Sequence, residues 1–174
     1  MTDPGRTPAP GSAVTVSHVF GELAWLVAQS ARHEDFRASD LVWLLMPPII
    51  KRQFHLFRDG ARPVGAALWA FPGEAAEARL ASAPLAPANP LAEGDWSSGG
   101  PLWLVELIAP FASAENRQIE VMLADLMTGP FKGKEFRMLR IDPATRAGSA
   151  AAISADAGRQ LVTEIAGALQ EARG

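Results

Sequence analysis

One carboxylate interrupts an otherwise apolar run, LWLVELIAPF, at residues 102–111. The run is short, rich in branched and aromatic side chains and ends at Ala109-Pro110, a pattern typical of a buried β-strand. Glu106 lies in its middle. Burying an unpaired carboxylate costs free energy, so a Glu106 buried in this strand must carry that cost, pair with another group, or serve a function. The segment therefore predicts both a strand and a candidate site.

Length and composition favour one domain with a single core. The chain has 174 residues, of which 48% are hydrophobic. That is enough for one well-buried core and a tight fit for two. The chain has no cysteine, which excludes disulfides, thiolate metal ligands and a cysteine nucleophile, and which fits a reducing compartment. We therefore expect one domain over residues 14–174, no metal site and a cytoplasmic location.

The N-terminus and the charge balance argue against two other classes of protein. Residues 1–13 contain three prolines and two glycines without an apolar segment, and predict a disordered tail rather than a signal peptide or membrane anchor. No apolar stretch reaches the roughly 20 residues that cross a bilayer, so no transmembrane segment is expected. A net charge of -3 argues against general nucleic-acid binding. The basic side chains form two groups in the sequence, Lys51, Arg52, Arg58 and Arg62, and Lys132, Lys134, Arg137, Arg140 and Arg146.

Helical periodicity begins near the N-terminus. Apolar residues recur at intervals of three and four over residues 16–27 and predict an amphipathic helix that ends near Ser30. A second helical segment is expected over residues 39–46, where Pro47-Pro48 would break or redirect it. Further helices are expected over residues 73–83, from a cap at Ser113 to Gly129-Pro130, and around residues 162–169.

Four short apolar runs have the length and composition of strands. Residues 54–57 and 64–71 lie on either side of Asp59-Gly60 and predict an antiparallel hairpin. A predicted helix separates the Glu106 strand from residues 136–141, so we expect these two strands to be adjacent and parallel. The order of elements therefore predicts an α/β fold with a mixed sheet.

Five segments between residues 17 and 148 carry a family likeness. They are SARHEDF (30–36), RDGARPVGAALWA (58–70), LAEGDWSSGG (91–100), WLVELIAPF (103–111) and FRMLRIDPATRAG (136–148). In order and spacing the chain resembles the RTX toxin-activating lysine acyltransferases of the haemolysin C type. The resemblance implies a GNAT-like fold and transfer of a fatty acyl chain from acyl carrier protein to internal lysines of an RTX protoxin. It implies no bound cofactor, since the donor is a phosphopantetheine thioester on the carrier protein.

The resemblance also implies two catalytic residues. The family's catalytic histidine follows the first helix, and the matching residue is His33. The family's second residue is an aspartate in the strand that matches WLVELIAPF, where this chain has Glu106, whose side chain is one methylene longer. From the residues alone, Glu106 could instead be paired with an arginine on the neighbouring strand, such as Arg140. His18 and His55 have no motif around them and are weaker candidates.

The chemistry explains why a histidine and a carboxylate would act together. A lysine amine has a pKa of about 10.4, so freeing its lone pair at pH 7 costs roughly 4 to 5 kcal/mol. A histidine, with an ordinary pKa of about 6.5, can take that proton, and a carboxylate can fix its tautomer and stabilise the imidazolium. The sequence leaves open whether His33 acts as a base or carries the acyl group itself.

The lack of glycine after the Glu106 strand bears on the nature of the acyl donor. Residues 109–118, APFASAENRQ, connect the Glu106 strand to the next helix and contain no glycine. Ordinary GNAT enzymes bind the coenzyme A pyrophosphate there with a glycine-rich turn. We therefore expect acyl carrier protein as the donor, docked through the basic groups. Two alternatives stay open, a coenzyme A-dependent N-acyltransferase of another amine and a non-catalytic relative that binds the carrier or the toxin. A homodimer is compatible with all three.

Overall fold

The computed structural model describes residues 14–142 and 144–171, so the expected N-terminal tail, residues 1–13, lies outside the described residues. The elements are α1 (Val16–Ala28), a 3₁₀ helix (Ala31–His33), α2 (Asp40–Lys51), β1 (Phe54–Asp59), β2 (Arg62–Ala70), α3 (Glu74–Ser82), a 3₁₀ helix (Glu93–Trp96), β3 (Trp103–Ile108), α4 (Gln118–Thr128), β4 (Phe136–Ile141), β5 (Gly148–Ile153) and α5 (Ala155–Glu171). Within these ranges, every helix falls short of the length and apolar character that crossing a bilayer requires.

The five strands form one mixed sheet in the order β1-β2-β3-β4-β5. Neighbouring strands are antiparallel except β3 and β4, which are parallel. The β1–β2 hairpin turns at Gly60, whose φ of +59° is a backbone conformation that glycine adopts readily. These observations confirm the predicted α/β mixed sheet, the hairpin and the parallel pair.

The parallel strands β3 and β4 stay together over a short distance. Their register joins Trp103 to Arg137 and Leu104 to Met138. The two strands continue to Ile108 and Ile141 respectively without further pairing to each other. Because the carboxyl ends of parallel strands lie at the same edge of a sheet, their separation opens a gap at that edge.

Two hydrophobic clusters cover the two faces of the sheet. On one face, residues of α1, α2 and α3 pack against β3, with Leu23, Leu44 and Leu80 among the buried side chains. On the other face, Met122 and Leu126 of α4 pack against the sheet. Residues of β3 contribute to both clusters, which makes β3 a central strand.

Two predictions about helix boundaries were wrong, and one strand was not predicted. Helix α2 continues through Pro47-Pro48 to Lys51, and both prolines are buried. Their packing offsets the hydrogen bonds that proline cannot donate. Helix α4 begins at Gln118 rather than at Ser113, because the Ser113 hydroxyl instead accepts a bond from the Asn116 amide at 3.2 Å, within a turn. Strand β5 was not predicted, since its sequence, GSAAAI, lacks the alternation that marks a strand.

Candidate active site

His33 is held at the end of a 3₁₀ helix that follows α1. Its ring is buried, with 4% of the residue exposed. Nδ1 lies 2.8 Å from the Ser30 hydroxyl oxygen, and the edge of the ring contacts Phe36 at a centroid distance of 5.0 Å. Nε2 is buried and has no hydrogen-bond partner among the described residues. The contacts therefore fix the ring and leave Nε2 without a hydrogen-bond partner in the described part of the chain.

A β-bulge in β3 turns the Glu106 side chain toward His33. In the pairing with β2, Glu106 is opposite Leu68 while Leu104 is opposite Trp69, so Val105 is an extra residue in β3. Side chains two residues apart normally share a face of a strand. Leu104 nevertheless packs in the α4 cluster and Ile108 in the α1 cluster. The bulge therefore places Glu106 on the face that carries α1 and His33.

Glu106 is completely buried and lies next to two side chains, Arg32 and His33. Its Oε2 atom lies 3.7 Å from His33 Nε2, just beyond hydrogen-bond distance. The Arg32 guanidinium donates two hydrogen bonds to the carboxylate, from Nη1 to Oε1 at 2.7 Å and from Nη2 to Oε2 at 3.1 Å. A two-point contact of this kind is among the stronger interactions available to a carboxylate. The sequence hypothesis that paired Glu106 with Arg140 was wrong, because Arg140 is exposed on β4 while Arg32 supplies the charge.

An apolar cavity opens beside this cluster. It has a volume of about 260 Å³ and occupies the gap between the ends of β3 and β4. Arg32 and Glu106 contribute to its wall. Most of the remaining wall is apolar, and includes Leu80, Leu85, Trp103, Leu107, Met138 and Ile141. The arrangement can therefore hold an apolar chain with its reactive end next to ionisable groups.

The other two histidines have different surroundings. His55 Nε2 lies 3.2 Å from an Asp125 oxygen, and His18 lies 3.6 Å from Glu22 across one helical turn. Both rings are partly or largely exposed. Within the described ranges, no group of three or more histidine, aspartate or glutamate side chains is arranged to hold a metal ion.

The two basic groups of the sequence are partly used within the fold. Arg58 donates two hydrogen bonds to Glu22, at 2.7 and 2.6 Å, and these hold the pKa of the Glu22 carboxyl below its usual value. Arg62 lies over the ring of Phe111 at 4.9 Å. In the second group, Arg137 forms an ion pair with Glu77. The exposed cations of that group are Lys132, Lys134, Arg140 and Arg146.

Arg32 and Ser30 are the site residues that sequence reasoning missed. Both belong to the segment SARHEDF, next to His33. A signal was present, since an arginine beside a candidate catalytic histidine is an obvious counterion for a buried acid. The pairing was missed because nothing in the sequence shows that this segment folds against β3.

Comparison with known proteins identifies relatives of this chain. A family model described as the RTX toxin acyltransferase family matches residues 12–154. The RTX-I toxin-activating lysine-acyltransferase ApxIC of Actinobacillus pleuropneumoniae is 31% identical over 130 residues, which cover 75% of this chain and 70% of that protein. The protein-lysine palmitoyltransferase CyaC of Bordetella bronchiseptica is 31% identical over 105 residues, 60% of this chain and 55% of that protein.

A third relative is also named as a protein-lysine acyltransferase. The protein-lysine myristoyltransferase HlyC of Escherichia coli is 28% identical over 130 residues, 75% of this chain and 71% of that protein. The family model spans the segment that carries His33 and the strand that carries Glu106. On these matches, the chain belongs to the RTX toxin acyltransferase family.

Proposed function

We propose that this protein transfers a fatty acyl chain from acyl carrier protein to internal lysine residues of an RTX protoxin. The observation that carries the proposal is the convergence of His33 and Glu106, 3.7 Å apart, beside an apolar cavity. Lysine acylation requires a base for the ammonium group and an apolar site for the acyl chain, and the cluster and the cavity supply both. The names of the relatives, which are lysine acyltransferases, support the same reaction.

The gap between β3 and β4 is the proposed site of the acyl chain. Its apolar wall suits a hydrocarbon, and Glu106 lies on that wall next to His33. A thioester carbonyl placed at this end of the cavity would be within reach of a lysine nitrogen activated by His33. The divergence of the two strands also supports the GNAT-like fold implied by the resemblance, which stays a prediction.

The proposed reaction uses His33 as the base. The Ser30 hydroxyl can accept the Nδ1 hydrogen, which leaves the Nε2 lone pair to take one proton from the substrate ammonium group. The lysine nitrogen then attacks the thioester carbonyl carbon, a C–N bond forms and the C–S bond breaks. The departing thiolate takes a proton and becomes a free thiol. The products are an amide and a thiol, and the remaining proton is released to solvent.

A carrier protein is the proposed donor because the connection from β3 to α4, residues 109–117, contains no glycine that would favour a pyrophosphate-binding turn. The N–H group of Gln118, the first residue of α4, already donates to the Asn116 side chain at 3.0 Å. The exposed cations Lys132, Lys134 and Arg140 offer an attractive surface for an acidic carrier. The cysteine-free composition supports a reducing compartment, and we propose the cytoplasm.

The experiment is acylation of an RTX protoxin co-expressed with this chain, measured by mass spectrometry of the protoxin lysines. We expect acylated lysines with the wild-type protein and none with His33→Ala. His55→Ala is the matched control and should acylate normally, because His55 pairs with Asp125 away from Glu106. Acylation at wild-type levels by His33→Ala would refute the assignment of His33.

The identity of the donor is tested with the purified protein. Acyl carrier protein and coenzyme A, each carrying the same acyl chain, are compared at equal concentration. Faster transfer from coenzyme A would favour the coenzyme A-dependent alternative. Binding of the carrier or the toxin without transfer from either donor would favour the non-catalytic alternative.

A further inference from the structure

The buried pair His33 and Glu106 is closed to an incoming lysine. The side chain of Glu106 is 0% exposed and that of His33 is 1% exposed. Arg32, by contrast, is 49% exposed and contributes to the wall of the cavity. Its guanidinium fills hydrogen-bonding positions on both oxygens of the carboxylate. A substrate amine that approaches Glu106 from solvent therefore meets Arg32 first.

We propose that Arg32 is a displaceable cover over the catalytic pair, and that its guanidinium occupies the place which the substrate lysine takes during the reaction. This inference rests on the proposed lysine acyltransfer and adds a step to it. Arg32 swings toward solvent as the lysine ammonium group binds Glu106. Only then does His33 Nε2 face the amine whose proton it accepts.

Charge explains why the two cations exclude each other. Glu106 is the one carboxylate that contacts this site among the described residues, and it can neutralise one cation. A lysine ammonium group and the Arg32 guanidinium on the same buried carboxylate would leave a net positive charge out of water, which is unfavourable. When Arg32 leaves, its exposed side chain can be solvated. An exchange of one cation for another keeps the carboxylate paired throughout.

The position of Arg32 in the chain makes a side-chain movement sufficient. Arg32 precedes His33 within the same 3₁₀ helix. The backbone N–H of His33 donates to the Ser30 carbonyl oxygen at 2.9 Å, so the segment is held in place while the long arginine side chain rotates. Opening therefore does not require movement of the catalytic ring.

The first test is chemical labelling of histidines with diethyl pyrocarbonate, followed by peptide mass spectrometry. It needs neither substrate nor activity, so it is independent of the proposed function. We expect His33 to react slowly in the wild-type protein and about tenfold faster in Arg32→Gln, the factor that corresponds to roughly 1.4 kcal/mol. His18 and His55, which are partly or largely exposed, serve as internal references. Equal His33 labelling in the two proteins would overturn the proposal.

A second pair of variants protects the test against a folding defect. Glu106→Gln breaks the same contact from the other side, and the double variant Arg32→Gln/Glu106→Gln leaves no buried charge unpaired. We expect all three variants to label His33 at the same raised rate, because each removes one shared interaction. Additive increases would contradict the proposal, since they would mean that Arg32 and Glu106 protect His33 separately. Arg37→Gln, at an exposed arginine directly after the segment SARHEDF, is the matched control and should label like the wild type.

Kinetics then separate a cover from a purely structural counterion. If Arg32 competes with the substrate, Arg32→Gln should lower the KM for a lysine-containing peptide by about tenfold, without a matching fall in kcat. A structural role alone would lower kcat and leave that KM unchanged, and this result would refute the competition. If no lysine substrate is acylated by the wild-type protein, the proposed function fails while the labelling result still decides whether Arg32 covers His33.

Discussion

Replacing Glu106 with glutamine removes a buried charge while keeping the shape of the side chain. Oε2 lies 3.7 Å from His33 Nε2, so at an effective dielectric constant of about 20 the carboxylate would stabilise an imidazolium by roughly 4 kcal/mol, or about 10³ in rate. Water that enters when Arg32 withdraws weakens this field. We therefore expect Glu106→Gln to lower kcat/KM for lysine acylation by about 100-fold.

The same substitution should cost less in stability than in rate. Glutamine keeps one carbonyl acceptor for the guanidinium, and Arg32 is 49% exposed and can turn to water. We expect the free energy of unfolding to fall by about 1 to 2 kcal/mol. Glu106→Asp should retain measurable activity, although its carboxylate is withdrawn from His33 by about one C–C bond, roughly 1.5 Å.

The assay is single-turnover acylation of a protoxin fragment, followed by mass spectrometry, with urea unfolding measured on the same preparations. Glu120→Gln is the matched control, because Glu120 is 40% exposed and pairs with Arg117 at the surface. The control should change neither rate nor stability measurably. A rate for Glu106→Gln within about twofold of the wild type would refute the catalytic role argued from the distance.

Three further predictions concern stability and docking. Arg58 holds the pKa of Glu22 below its ordinary value of 4.5, so the pair stabilises the fold at neutral pH and loses that contribution as the pH falls below this value. Glu22→Gln should therefore lower the free energy of unfolding in urea by about 0.5 to 1 kcal/mol at pH 7, and by progressively less in acid. Gly100→Ala should destabilise by about 2 kcal/mol or more in the same measurement, because its Cβ would overlap the Pro72 carbonyl, whereas Gly21→Ala, in open space on α1, should stabilise by about 0.5 to 1 kcal/mol. Affinity for acyl carrier protein, measured by calorimetry, should fall steeply with added salt, and a flat dependence would contradict electrostatic docking.

The parts of the fold that depend on local pattern were predictable. The Asp59-Gly60 turn and the periodicity of α1 are decided within a few residues, and both predictions were confirmed. The prediction that Pro47-Pro48 would end α2 was wrong because distant contacts bury both prolines. The prediction that Ser113 caps α4 was wrong because its hydroxyl accepts a hydrogen bond within a competing turn. Strand β5 is defined by its pairing with β4 rather than by its own sequence.

The sequence predicted which two residues, His33 and Glu106, lie at the candidate site better than it predicted which side chain pairs with Glu106. The need of Glu106 for a partner follows from the cost of burying a carboxylate, and His33 follows from the family resemblance. The partner arginine was sought on the neighbouring strand, at Arg140, but it comes from the segment after α1, at Arg32. That outcome depends on the face toward which Glu106 points, and a bulge cannot be read from alternation in a run of apolar residues.

The extra residue in β3 has a consequence for how this protein can evolve. Val105 contributes little chemistry, and another apolar side chain could replace it at modest cost. Its deletion would remove the bulge and leave Glu106 opposite Leu68, on the face that carries α1. Deletion of Leu107 would be different in kind, because it would restore the regular pleat by pairing Glu106 with Ala67 and would send the carboxylate into the hydrocarbon around α4, away from Arg32 and His33. The number of residues between Glu106 and Ile108 is thus under stronger selection than the identity of Val105, and insertions or deletions there should be rare even between relatives that differ at position 106.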